Sequence, residues 1–312
     1  KGDEHMNRMP TKEMTYEEWK QQRRNGIGGS DAAAAIGLNR WKSRLKLYLE
    51  KIGELEDNVD SEATYWGRIL EGVLAEEFTR RTGKAVRRVN AILIHPEFEW
   101  MIANIDRKVV GENAILEVKT TAAWNNKEWE HDEIPQEYII QAQHYMAVTG
   151  ADLTYFAVLV GGQKLLIKKF VRDDELIEMI IREEQKFWQM VENRTPPELD
   201  GAVDAKEILS YMYPTAIEGS VIELPTYEST VEEILALGKQ IKELEQMKEE
   251  KENKLKAEMA EHEIAYVGKY KVSWKNISQS RLDTKLLEHE QPEIYKKYLK
   301  ENNFRRFSIK EG

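Results

Sequence analysis

Trp100-Met101-Ile102-Ala103-Asn104-Ile105-Asp106, then Gly111-Glu112-Asn113, then Ala114-Ile115-Leu116-Glu117-Val118-Lys119-Thr120-Thr121 is the stretch that decides the fold. The two apolar runs read as strands joined by the Gly111-Glu112-Asn113 turn, with Ala91-Ile92-Leu93-Ile94 as a further strand upstream. Strand side chains alternate between faces, so Glu117 and Lys119 point one way while Leu116 and Val118 enter the apolar layer. A hairpin then brings Asp106, closing its strand, beside Glu117. Two carboxylates and an amine converging at one point can hold a divalent ion on a phosphodiester and activate water beside it. Taken alone, Glu-x-Lys on a strand is most often just the wet side of a half-exposed sheet. Its neighbours in the chain decide between the two.

Upstream, a short helix carrying Trp19 runs into Arg23-Arg24-Asn25-Gly26-Ile27-Gly28-Gly29-Ser30-Asp31 and an Ala-rich helix. The glycines break the first helix, and Ser30 or Asp31 can cap the second. Free backbone N–H groups there, with Arg24 nearby, suit an anion, although Gly-Gly-Ser-Asp is also a common cap. Tyr65, Ile69, Leu70, Val73, Leu74 and Phe78 follow a 3.6-residue period that predicts an amphipathic helix over 62–82, stopped by Gly83. Glu71 on that helix is either part of its polar stripe or an acid aimed at the site. Downstream, Pro135 opens a helix that Gly150 ends, with Tyr138, Gln141 and Tyr145 on one face. A hairpin around Gly161-Gly162 and a helix from Asp173-Asp174 to about Glu192 complete the block, which Pro196-Pro197 closes.

The remainder differs. Ile234, Leu237, Ile241 and Leu244 give two heptads before Lys248 and Lys251 spoil the seam, predicting an arm or spacer helix over 227–261. Strands over 264–267 and 270–274, helices over 283–288 and 292–300, and a closing strand over 304–309 follow. The expected divisions are 6–197 as core, 198–226 as linker and 227–312 as a helical arm with a small α+β extension. Lys1-Gly2-Asp3-Glu4-His5 is set apart from the fold argument.

The 312 residues hold 46 Lys and Arg against 56 Asp and Glu, a net charge of -10, and no cysteine. This excludes a thiolate zinc site, a thiol nucleophile and an iron-sulfur cluster. The six histidines include no helical pair of zinc ligands, so a metal here would sit on oxygen, favouring Mg2+ or Mn2+. No apolar run approaches the roughly 18–20 residues of a membrane span, which makes a cytoplasmic protein the expectation. A net negative chain is no general polyanion binder, yet the acids of a metal site are counted in that sum. For duplex contacts, Arg80, Arg81, Lys84, Arg87, Arg88 and the 40–46 basic run are the candidates. Trp124 and Trp129, just after the decisive strand, are either near substrate or packing anchors.

In the order of these elements the chain resembles the PD-(D/E)xK nuclease superfamily, and more closely the YqaJ-like phage recombination exonucleases of the lambda exonuclease type. The resemblance covers roughly residues 15–195. It rests on 24–31, Gly67-Arg68-Ile69-Leu70-Glu71, Asp106 with Glu117-Val118-Lys119, and Gln141-Ala142-Gln143-His144-Tyr145. Ile105 stands where the superfamily's name has proline. The resemblance implies an α/β restriction-endonuclease-like core, a mixed central sheet flanked by helices. It implies that Asp106, Glu117 and the Val118 carbonyl hold the metal, and that Lys119 orients water or stabilises phosphate charge. Glu71 and Gln141 would complete the catalytic set, and Arg24 and Ser30 would bind a terminal 5′-phosphate. The implied activity is 5′-to-3′ degradation of one strand of linear duplex DNA, leaving 3′ overhangs for a single-strand annealing protein, by a homo-oligomer with a trimer as first expectation. A structure-selective or nicking endonuclease, or a noncatalytic DNA-binding recombination protein, are the other readings.

Overall fold

The computed structural model describes residues 7–56, 61–131, 133–199, 203–300 and 304–310; the leading Lys1–His5 segment lies outside them. The chain forms two units, Lys1–Met212 and Tyr213–Gly312.

The first unit begins with strand β1 (Asn7–Pro10) and helices α1 (Tyr16–Arg24), α2 (Gly29–Ala35), α3 (Arg44–Lys51) and α4 (Glu62–Thr82). Thr15 and Glu18 form a reciprocal capping box on α1, and Ser43 and Ser61 cap α3 and α4. Strands β2 (Val86–Arg87), β3 (Ala91–Ile94), β4 (Ile102–Ala103), β5 (Arg107–Val109) and β6 (Ala114–Thr121) follow. Helix α5 (Gln136–Thr149), the hairpin β7 (Leu153–Val160) and β8 (Lys164–Val171), and helices α6 (Asp174–Glu192) and α7 (Ala205–Met212) complete it. The central sheet has the order β2-β5-β6-β7-β8, parallel only between β6 and β7, while β1-β3-β4 form a smaller antiparallel sheet. A mixed central sheet flanked by helices is the expected core.

One face of β6 meets α4: Ala114 and Leu116 pack with Ala75 and Phe78. The other meets α5, where Ile115 packs with Ala142, Tyr145 and Met146. A strand covered on both faces explains the run Ala114-Ile115-Leu116. Helix α5 is pinned through fully buried His144, whose Nδ1 lies 2.8 Å from Glu184 and whose Nε2 lies 2.9 Å from the Ile102 carbonyl.

Four expectations are corrected in the first unit and the segment after it. The strand read over 100–106 is short: β4 holds two residues, and Asp106 sits on a bend just before β5. The hairpin partner of β6 is β5, joined through the expected turn. Helix α4 buries Leu74, Ala75 and Phe78 but leaves Tyr65, Ile69 and Val73 exposed, so its apolar residues occupy two faces rather than one. The expected linker contains α7, whose Ile208 is buried with Leu45 and Leu47 of α3 while Asp204 accepts the Ser43 N–H, at 3.1 and 3.0 Å to its two oxygens. That segment belongs to the first unit.

In the second unit, α8 (Glu228–Met259) carries the heptad residues Ile234 and Leu244 exposed. Strands β9 (Ile264–Val267) and β10 (Tyr270–Ser273) form a hairpin, followed by α9 (Thr284–Glu290) and α10 (Pro292–Tyr298). The closing strand expected over 304–309 is not formed; residues 304–310 carry no regular structure.

The loop between α1 and α2 is fastened to the sheet by Ile27, whose N–H donates to the Trp100 carbonyl at 2.6 Å and whose carbonyl accepts from Ile102 at 3.0 Å. A Cβ on Gly26 would stand 2.6 Å from that same Trp100 oxygen, a backbone atom that cannot turn aside. Gly26→Ala should therefore cost about 1–3 kcal/mol of stability, as overpacking does, measured by denaturant unfolding. Unchanged stability would show that the loop can lift off the sheet.

Candidate metal centre

The site grows from the point where the β5-β6 ladder stops. Its last pairs are Lys108 with Ile115 and Arg107 with Leu116. Strand β6 continues, and the Val118 N–H beyond the ladder donates to Asp106 Oδ2 at 2.8 Å. The aspartate thus substitutes for a missing strand and is fixed beside Glu117.

Glu117 and Lys119 point together towards α5, as alternation predicts. Their surroundings are not wet: Glu117 is 1% exposed. Glu117 Oε2 accepts from Lys119 Nζ at 3.2 Å and from Gln141 Nε2 at 3.3 Å. Its other oxygen, Oε1, is buried and has no hydrogen-bond partner. Lys119 Nζ also lies over the Tyr138 ring, 5.2 Å from its centroid. These groups open onto a cleft of about 480 Å³ that Glu71, Ser30, Gly67 and Arg68 also line.

The electrostatics follow from burial. Desolvation, then the Asp106 charge, push the Glu117 carboxyl from its ordinary 4.5 up to about 8. Burial likewise raises Asp106, with Lys119 and the Val118 N–H opposing. Burial works against the Lys119 ammonium, yet the Glu117 and Asp106 charges outweigh it and raise the amine. An unsatisfied carboxylate oxygen beside a second carboxylate is what an oxygen-ligated dication would complete, and the donor set fits one. Among the described residues no three acidic or imidazole side chains converge. The centre is a pair of acids, with the Val118 carbonyl as the available third oxygen.

Glu71 stands at the cleft, where its carboxylate pairs with Arg107. Gln141 is buried and spans Glu117 and the Tyr145 hydroxyl, 3.2 Å away. Ser30 lines the cleft; Arg24 does not, and its guanidinium lies against Gly53. The arginine on Ser30 is Arg23, whose Nη2 donates to Ser30 Oγ at 2.8 Å and to buried Asp31 at 3.3 Å. Sequence order could not separate these adjacent arginines, because the last turn of α1 decides which one faces α2. Tyr145 was legible only as a face of α5. Its role shows at Gly29, where a Cβ would stand 2.3 Å from the Tyr145 ring. Several basic candidates already have acids: Arg40 pairs with Glu128 and Glu137, Arg80 and Arg81 with Glu77, and Lys84 with Glu112. Trp129 is a buried anchor stacked on Tyr138, whereas Trp124 is 83% exposed.

An acid whose folded pKa is raised binds its proton more tightly when folded, so the metal-free protein loses stability as pH rises from about 4.5 to about 8. A dication on the pair reverses this. Mg2+ should therefore raise the melting temperature more at pH 9 than at pH 6, and Glu117→Gln should remove most of that difference. Thermal melts in EDTA and in Mg2+ across this range check it; a pH-independent gain contradicts it.

A family model described as a YqaJ-like viral recombinase domain matches residues 18–152. The uncharacterized protein YqaJ of Bacillus subtilis is 46% identical over 304 residues, covering 96% of this chain and 95% of its own. Protein D345L of African swine fever virus is 37% identical over 67 residues, 20% of this chain and 19% of its own. Among solved structures, the alkaline exonuclease LHK-Exo of Laribacter hongkongensis aligns with a TM-score of 0.50 at 23% identity, covering 57% of this chain and 94% of that one. The expected resemblance and the core fold are borne out. No helix among the described residues is long and apolar enough to cross a membrane. On its similarity to the Bacillus protein along nearly the whole chain, together with the domain match, the chain belongs to the YqaJ-like viral recombinase family.

Proposed function

We propose that the protein is a metal-dependent phosphodiester hydrolase that degrades one strand of linear duplex DNA from its 5′ end and leaves 3′ overhangs for a single-strand annealing protein. The observation that carries this reading is Glu117 Oε1, a buried carboxylate oxygen without a partner, held beside Asp106 and Lys119 at the floor of an open cleft. Asp106, Glu117 and the Val118 carbonyl would hold Mg2+ or Mn2+. When bound, the ion supplies Lewis-acid stabilisation of the scissile phosphate and lowers the pKa of water.

The chain's own groups do the rest. Gln141 and Lys119 fix Glu117 Oε2, so the free oxygen keeps one orientation. The Lys119 ammonium orients the attacking water and offsets charge on the phosphate. Glu71, paired with Arg107, would assist the metal or its water. Arg23 and Ser30 receive the terminal 5′-phosphate, with Arg23 taking the part first given to Arg24. A homotrimer acting on duplex ends completes the reading.

Linear duplex carrying 5′-phosphate ends should be degraded in Mg2+ and left intact in EDTA, and closed circular duplex should survive. Cleavage of the circle would favour the endonuclease reading. Lys119→Ala and Asp106→Ala should each lower the rate by about 10²–10⁴, and full activity in either refutes the mechanism. Arg23→Ala should erase the preference for 5′-phosphate over 5′-hydroxyl ends while Arg24→Ala keeps it. The reverse result would restore Arg24. Light scattering on the full chain tests the trimer.

A further inference from the structure

The charge of the chain is divided unevenly. Residues 264–310 carry 11 Lys and Arg against 5 Asp and Glu, a net +6, while the rest carries 35 against 51, a net -16. Averaged over 201–312 this basic segment disappears, because residues 201–263 carry 7 Lys and Arg against 15 Asp and Glu. Within the same 47 residues six large aromatic side chains are between 50% and 82% exposed, among them Tyr266, Tyr270, Trp274 and Phe307.

These aromatics are not a buried core turned outward. Five of the six are interleaved with cations along the chain, in Lys269-Tyr270-Lys271, Trp274-Lys275, Lys297-Tyr298 and Phe304-Arg305-Arg306-Phe307, and the sixth, Tyr266, is paired across the hairpin with Lys271. Lys269 lies over the Tyr270 ring at 5.4 Å, and Lys297 over the Tyr298 ring at 5.5 Å. The β9-β10 register pairs Tyr270 with Val267 and Lys271 with Tyr266, and the Trp274 N–H extends the ladder by donating to the Glu263 carbonyl at 2.9 Å. Alternation then sets Tyr270 and Trp274 on one face of the hairpin, about 14 Å apart along the strand, and Tyr266 with Lys271 on the other.

We propose that this hairpin and the basic aromatic segments after it form a binding site for single-stranded DNA, separate from the metal centre. The chemistry selects the ligand. The cores of protein interfaces are depleted in lysine, so a protein partner would have to desolvate the cations beside every aromatic ring. A polynucleotide needs both features: its phosphates take the cations, and its bases stack on the rings. A duplex keeps its bases stacked on one another and offers these rings nothing, whereas an unpaired strand presents free base faces. The site does not depend on the hydrolytic reading, because it shares no residue with the cleft.

The test uses the full chain in EDTA and a 3′-labelled 30-nucleotide oligothymidylate with a 5′-hydroxyl end, so that neither metal nor terminal phosphate contributes. The parent protein should bind this strand more tightly than a 30-base-pair duplex with the same ends. Tyr270→Ala with Trp274→Ala should weaken binding about tenfold or more, consistent with the loss of two base stacks. Lys269→Glu with Lys271→Glu should weaken it and flatten its dependence on salt. Both variants should degrade linear duplex as the parent does, which separates loss of this site from misfolding and from failure of the hydrolytic reading. The proposal is overturned if either doubly substituted chain binds the strand as the parent does, or if the parent prefers duplex.

Discussion

The carboxylate of Asp106 accepts the Val118 N–H, and the geometry of the centre depends on that bond. The β5-β6 ladder stops at the pair of Arg107 with Leu116, while β6 runs on to Thr121. An interior strand cannot leave its next amide unpaired, because a buried orphan N–H costs about 1–3 kcal/mol. The side chain that closes this gap is an acid rather than another stretch of backbone. It therefore brings negative charge to the place where Glu117 points inward. The ladder's defect and the clustering of two carboxylates are one event, and the short turn at Gly111-Glu112-Asn113 sets where it happens.

A second buried acid shows how differently such charge can be treated. Asp31 and Glu117 are equally hidden from water. Burial alone would raise both, but around Asp31 the charges of Lys51, Arg23 and Lys42 outweigh it and hold the carboxyl well below its ordinary value. Lys51 Nζ is 2.8 Å from Asp31 and also donates to the Arg23 carbonyl at 2.8 Å. That cluster is satisfied by the protein itself and fixes α1 against α2 and α3. Glu117 has one cation, a neighbouring acid and an oxygen with no partner, so its raised pKa marks a group whose counter-charge the chain does not fully supply.

The pattern of Glu117, Val118 and Lys119 was legible because strand alternation is strict, and the helices around it were legible because their caps and stops are ordinary. Gly83 and Gly150 end α4 and α5 in the left-handed conformation that favours glycine. The errors share a physical cause. The run 100–106 is mostly buried but pairs only briefly, at β4 with β3 and at Met101 with Ile27, and burial with little pairing looks like a full strand in sequence. Helix α4 carries a 3.6-residue apolar period, but only its C-terminal half packs on β6. Its N-terminal half borders the cleft, and periodicity does not report what covers a face. Arg23 and Arg24 differ by one residue, about 100° of helix, which no composition argument resolves.

A chain of net charge -10 that acts on a polyanion must place attraction locally. Several of the basic residues expected to grip a duplex are held by acids, as the bidentate Arg40–Glu128 pair at 2.7 and 2.8 Å shows. Each such pair would have to open before a phosphate could use its cation. On the proposed reading, recognition would then fall on Ser30 at the cleft with Arg23 bonded to it, and on the acid pair that would hold the ion. The uncompensated positive charge of the chain lies far along the sequence, in residues 264–310, among aromatic rings. On the two proposals above, one unit would discriminate the end of the substrate and the other would retain an unpaired strand.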